Sequence, residues 1–187
     1  MPEPLPSDPV RADGPPLVTA GRPGSPRLVV LDPAGLAKHE GLPATWRPLE
    51  QDHEILWYRI PVEGAWSGTG ETLAAPERSD LVTSGPLAAD ALRLAAEHSG
   101  SVRSVLLVDP AAEGVLSPGD AAVADEAWLA QHDAEIAALR ESGVEVEVLA
   151  HSSDDPDDQI PSPLPLGHDW VVDALRETLA RLESAGR

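Results

Sequence analysis

Residues 81–110 restrict the fold of this chain more than any other stretch. Residues 81–83 are a short β run, and residues 84–86 (Ser-Gly-Pro) form a tight turn. Apolar residues then recur at helical spacing, and residues 102–108 form a nearly continuous apolar strand. Because strands buried on both faces belong to parallel sheets covered by helices, this segment predicts a β-α-β unit.

The rest of the chain continues the alternation of strands and helices. Further strand patterns occupy residues 27–31, 54–60 and 144–149, and helical patterns follow them, including one predicted from residue 118 to about 142. The order predicts an α/β fold, a three-layer sandwich with a mainly parallel five-stranded sheet. In such sheets the ligand crevice lies at the carboxyl ends of the strands.

Two segments are expected to lie outside this pattern of strands and helices. Residues 1–25 are rich in proline and lack an apolar period, so we predict a disordered tail followed by one domain over residues 26–187. Residues 62–70 are rich in glycine but lack the Gly-Lys-Ser/Thr ending of a phosphate-binding loop. We therefore expect them to form an ordinary loop.

Composition excludes several classes of function. The formal net charge of −19 argues against binding to nucleic acid or to an anionic membrane surface. The absence of cysteine excludes disulfides and thiolate chemistry. Apolar runs are far shorter than the roughly 20 residues of a membrane span, and the first residues do not resemble a secretory signal. A cytoplasmic protein is the resulting expectation.

Three motifs together resemble the α/β-hydrolase family. The sequence LVTSGPLAADALRLAAEH (residues 81–98) is similar to that family's nucleophile elbow and following helix. Residues 151–156 (HSSDDP) resemble the loop that carries the catalytic acid, and Gly167-His168 resembles the pair that supplies the base. The resemblance spans roughly residues 27–182. It implies a minimal, lidless hydrolase-like core with the order 2-1-3-4-5 for the five predicted strands.

The nucleophile position of this resemblance is occupied by Gly85 rather than serine. Thr83 and Leu87 stand where the family has the two glycines that flank the nucleophile. The resemblance makes Asp155 the acid and His168 the base, but glycine has no side-chain atom that could attack a substrate. The leading hypothesis is therefore a binding or regulatory pseudoenzyme that lacks serine-hydrolase activity.

Two other hypotheses remain open. Ser84 could be the nucleophile of an esterase or thioesterase, acting with His168 and Asp155, if the turn is shifted by one residue; otherwise Ser84 is expected to cap the following helix. A third hypothesis is a non-hydrolytic small-molecule binder with its crevice between Asp32 and Gly85. A small-molecule or protein ligand would then lie near Asp32, Gly85 and His168.

We expect neither a cofactor nor a metal site. The acidic loop has several carboxylates near two histidines, but carboxylates so close together in a loop are usually solvated, and no paired-histidine helix motif is present. The five tryptophans are expected to be packing groups, with Trp170 as a candidate crevice residue because it follows His168 closely. The sequence predicts no oligomeric state, although an exposed edge at residues 144–149 would permit edge pairing.

Overall fold

The computed structural model describes residues 13–35, 41–115, 117–153 and 162–185. Within these residues a six-stranded sheet has the order β1-β3-β2-β4-β5-β6. The strands are β1 (Leu17–Gly21), β2 (Arg27–Asp32), β3 (Glu54–Arg59), β4 (Ser79–Ser84), β5 (Val102–Val108) and β6 (Glu145–Ala150). The α-helices are α1 (Ala65–Leu73), α2 (Ala88–Glu97), α3 (Ala121–Gln131), α4 (Asp133–Glu141) and α5 (Asp169–Ala185).

The order of the parallel strands confirms the predicted order, but the predicted number of strands is wrong. Strands β2 to β6 are parallel, while β1 pairs antiparallel with the outer edge of β3, which makes six strands instead of five. Strand β1 was missed because it is a short edge strand between prolines and a glycine, with Val18 as its one fully buried residue. It lies within the segment expected to be a tail, whose residues 1–12 are outside the described part.

Three layers enclose two apolar cores, as predicted. Side chains of β2 alternate between them, because Val29 and Leu31 belong to one core and Leu28 and Val30 to the other. The first core is covered by α1, α2 and α4, and the second by α5 and the short 3₁₀ turns before β3. None of the helices in the described ranges is long and apolar enough to cross a membrane.

Two local predictions are wrong. Most of the glycine-rich segment at residues 62–70 belongs to α1, because Ala65, Thr69 and Leu73 recur at helical spacing and are buried against the sheet. The predicted single helix over 118–142 consists of α3 and α4, which are separated at His132. The Nδ1 atom of His132 lies 2.8 Å from the carbonyl oxygen of Trp128, and the two rings stack there.

Candidate functional site

The carboxyl edge of the sheet brings together polar residues from five strand ends. Asp32 ends β2, Arg59 ends β3 and Ser84 ends β4, while Asp109 and His151 directly follow β5 and β6. Asp32, Arg59 and Asp109 are each 0% exposed. Buried ionisable groups require hydrogen-bond or charge partners. This edge is therefore an organised polar site, and it lies where open α/β sheets bind ligands.

The turn after β4 has the backbone of a sharp strand-to-helix elbow. Ser84 is extended, with φ −133° and ψ 156°, and Gly85 has φ +52° before a 3₁₀ turn leads into α2. A positive φ favours glycine over any residue with a Cβ atom. The left-handed residue therefore stands at the position where the hydrolase resemblance has its nucleophile.

The space beside Gly85 is occupied by the loop that precedes α5. A Cβ atom at position 85 would lie 3.1 Å from Cγ and 3.3 Å from Cβ of Pro163, and 3.6 Å from Cβ of Ala112. The first two distances are tighter than ordinary carbon–carbon contact, which begins near 3.5 Å. A side chain at position 85 would thus press against the Pro163 ring.

Ser84 and His168 stand in different local settings. Ser84 is 4% exposed, and its side chain forms no capping hydrogen bond with the following helix, so that part of the helix-cap prediction is wrong. His168 lies just before α5, where its Nδ1 accepts the backbone N–H of Trp170 at 3.2 Å and its ring meets the Trp170 ring edge-on. Asp155, the predicted acid, is outside the described residues.

Asp32 is held rigidly at the rim of the predicted crevice. Its Oδ2 accepts the indole N–H of Trp57 at 2.9 Å, and its Oδ1 accepts the backbone N–H of Ala34 at 2.9 Å. The second bond forms a turn directly after β2. Asp32 therefore holds the Trp57 side chain of β3 and the start of the loop that follows β2.

Asp109 joins two ends of the loop that follows β6, and we name this arrangement the Asp109 clamp. Its Oδ1 accepts the N–H of Ser152 at 2.8 Å, while its Oδ2 accepts the Ser152 hydroxyl at 2.7 Å and the N–H of Leu164 at 2.6 Å. Because Leu164 directly follows Pro163, the clamp holds Pro163 beside Gly85. This role of Asp109 could not be predicted from the sequence, since Asp109-Pro110 has the same residue pattern as an ordinary strand end.

A second buried carboxylate lies next to the clamp. Asp125 in α3 is 2% exposed, its Oδ1 accepts the N–H of Ala111 at 3.0 Å, and its Oδ2 lies 3.3 Å from Nδ1 of His151. Burial, and to a lesser extent the charge of Asp109, raise the pKa of Asp125 to about 6 against the opposing effects of Ala111 and His151. Nothing in the sequence distinguishes Asp125 from Glu126, the exposed acid next to it in α3.

The described residues contain no group of three or more His, Cys, Asp and Glu side chains that could hold a metal ion. Of the acidic loop considered above, residues 151–158, residues 154–158 are outside the described part of the chain.

No protein-family model matches the chain, and no curated protein matches it. The hydrolase resemblance therefore stays a prediction, and function has to be argued from the geometry of the site.

Proposed function

We propose that this protein is a binding or regulatory protein with an α/β-hydrolase-like core and without serine-hydrolase activity. Its ligand, a small molecule or a protein, occupies the carboxyl edge near Asp32, Gly85 and His168. The observation that carries this proposal is the left-handed Gly85, whose Cβ position would be 3.1 Å from the Pro163 ring. The position of the attacking oxygen has no side chain, and a Cβ atom there would require the Pro163 ring to move by a few tenths of an ångström.

The setting of Ser84 supports the same conclusion. A nucleophilic serine needs an exposed hydroxyl and a neutral histidine nitrogen that accepts its proton. Ser84 is 4% exposed and belongs to the ladder of β4. In His168, Nδ1 accepts the backbone N–H of Trp170 at 3.2 Å, whereas the base of the serine mechanism donates its Nδ1–H to an acid.

Partly exposed aromatic side chains at the same edge favour binding. Trp66 is 37% exposed near the start of α1, and Trp170 is 41% exposed near the start of α5. Both helices begin on the side of the sheet where the parallel strands end. Large amphipathic rings at a crevice rim offer contact area to a ligand at a low cost in side-chain entropy.

The proposal is tested with a fluorophosphonate probe, which reacts covalently with activated serines. The wild-type protein, Ser84→Ala and the matched control Ser67→Ala are treated alike, since Ser67 is an exposed serine of α1. Labelled peptides are identified by mass spectrometry, and turnover of a p-nitrophenyl ester is recorded in parallel. We expect no labelling of Ser84 and no turnover above the rate in buffer.

The esterase hypothesis predicts a different pattern. Labelling and turnover that are lost in Ser84→Ala but kept in Ser67→Ala would replace the present proposal with a Ser84 hydrolase. Labelling that is equal in all three proteins would reflect other nucleophiles and would leave the lack of an activated serine at the elbow intact.

A further inference from the structure

A pocket at the opposite, amino edge of the sheet is separate from the proposed crevice. It has a volume of about 310 Å³ and lies between the segments that precede β2 and β3 and the last turns of α5. This volume is at the lower end of the range for small-molecule sites. Its walls combine apolar side chains with four ionisable ones: Pro26, Pro48, Leu49, Leu179 and Ala180, together with Asp52, His53, Arg176 and Glu183.

His53 is the feature of this pocket that packing leaves unexplained. The residue is 7% exposed, and neither ring nitrogen forms a hydrogen bond within the described part of the chain. Its Nε2 lies 3.4 Å from Oε1 of Glu183, an acidic residue that also lines the pocket. A buried nitrogen without a hydrogen bond carries a free-energy cost that a ligand group could remove.

The charge of the pocket favours a cation. Asp52 and Glu183 contribute carboxylates, which are offset in part by Arg176 in the wall and by Arg103, whose pKa the charge of Glu183 helps to raise. The pocket lies against the carboxyl-terminal turns of α5, where the helix dipole is negative and the last turn has no basic residue. The net charge of −19 adds a long-range attraction for cations.

We propose that this pocket binds a small organic ammonium compound. The ammonium group lies between Glu183 and Nε2 of His53, to which it donates hydrogen bonds. The apolar body of the ligand contacts Leu49 and Leu179. This site is independent of the crevice at the carboxyl edge, since the two lie at opposite ends of the parallel strands.

The test compares three probes of similar shape and different charge: 2-phenylethylammonium, neutral 2-phenylethanol and anionic 3-phenylpropionate. Each is titrated into the full chain at about pH 7.5, where the carboxylates are ionised, and amide shifts are followed by two-dimensional NMR. We expect saturable shifts around His53 and Leu179 with the ammonium probe, and binding at least about tenfold weaker for the other two.

Variants separate a specific site from general attraction. Glu183→Gln should weaken binding of the ammonium probe about tenfold, while Glu177→Gln removes the same charge from α5 outside the pocket and should leave it unchanged. Arg176→Ala, at an exposed position, should strengthen binding and provides a second test if Glu183→Gln does not fold. Tighter binding of the anionic probe, equal effects of the two glutamate variants, or no shifts at His53 with the ammonium probe would overturn the proposal.

Discussion

Buried carboxylates occur at both edges of the sheet, but their electrostatic settings are opposite. At the amino edge, Asp80 is 1% exposed and accepts hydrogen bonds from Nε of Arg103 at 2.8 Å, from its Nη2, and from the Ser104 hydroxyl at 2.7 Å. The hydrogen bonds to Asp80 raise the pKa of Arg103 above its ordinary value. The carboxylate of Asp80 thus forms a bidentate ion pair with the guanidinium of Arg103.

At the carboxyl edge, two carboxylates share one neighbourhood. Asp109 and Asp125 are both buried, and the side chain of His151, which faces Asp125, is 46% exposed. Asp109 is satisfied by neutral donors, and Asp125 has a raised pKa because burial and Asp109 both disfavour its charge.

The difference between the charge-paired carboxylate and the two unmatched ones suggests different roles for the two edges. The Asp80–Arg103 pair holds β4 against β5. Like charges that are kept close and out of water cost stability, and such arrangements persist where they position a functional segment. Under the proposed function, the segment positioned in this way contains Pro163, which lies beside Gly85.

Breaking the amino-edge pair should have the largest effect. Asp80→Ala leaves the partly buried guanidinium of Arg103 and the hydroxyl of Ser104 without their acceptor, and we expect a loss of about 3 kcal/mol in the free energy of unfolding. Urea denaturation measures it. Asp90→Asn is the control, because the Asp90–Arg93 pair is on the surface and should contribute less than about 0.5 kcal/mol. Equal losses would show that the buried pair does not stabilise the sheet.

Removing the charge of the Asp109 clamp should have the next largest effect. Asp109→Asn suits the left-handed backbone, φ +44°, but its amide nitrogen would face donors where Asp109 now accepts. We expect a loss of about 2 kcal/mol and faster hydrogen exchange at the Leu164 amide. Glu113→Gln, an exposed acid of the same edge, is the control. Unchanged exchange at Leu164 would contradict the clamp.

The sequence predicted the features that depend on local periodicity. The five parallel strands and the turn at Ser84–Gly85 followed from apolar runs and turn residues, whereas the order of the strands was an implication of the hydrolase resemblance. The missed features depend on contacts between distant parts of the chain. Strand β1 is stabilised by pairing with β3, and the functions of Asp109 and Asp125 arise when three loops meet at one edge.

Gly85 has one feature that the local sequence predicts and one that depends on a distant contact. Its place in the register of the elbow could be predicted from residues 81–98. The contact with Pro163 could not, because 78 residues separate the two positions along the chain and the fold alone brings them together.

Introducing a serine at the elbow should be less costly than either change above and should not create esterase activity. Gly85→Ser places a Cβ atom at φ +52° and against Pro163, and we expect a loss of about 1–2 kcal/mol. Gly100→Ser is the control, since no atom lies within 4 Å of its Cβ position. Hydrolysis of a p-nitrophenyl ester by Gly85→Ser at a rate well above that of Gly100→Ser would show that the remaining groups still form a working active site.

The smallest expected effect concerns Asp125, and its sign reverses that of the other substitutions. The pKa of Asp125 is about 6 in the folded protein and about 4 in an unfolded chain, so the folded state binds more protons between these values. Stability should therefore fall as pH rises through this window. Asp125→Asn keeps an oxygen for the Ala111 N–H and removes the charge, so it should be more stable than wild type by about 1 kcal/mol at about pH 8 and equal to it near about pH 4.

Urea unfolding at several pH values measures this difference, with Glu126→Gln as the control because that neighbour is exposed. We expect the stability difference between Glu126→Gln and wild type to be independent of pH, and Asp125→Asn to become more stable than wild type between about pH 4 and 6. This result would assign the loss of stability at higher pH to the charge of Asp125. If Asp125→Asn were instead less stable at about pH 8, the hydrogen bond from Ala111 and the contact with His151 would outweigh the cost of burial, and the carboxyl edge would be as well compensated as the amino edge. That result would remove the electrostatic contrast between the two edges, while the Asp109 clamp would still hold Pro163 beside Gly85.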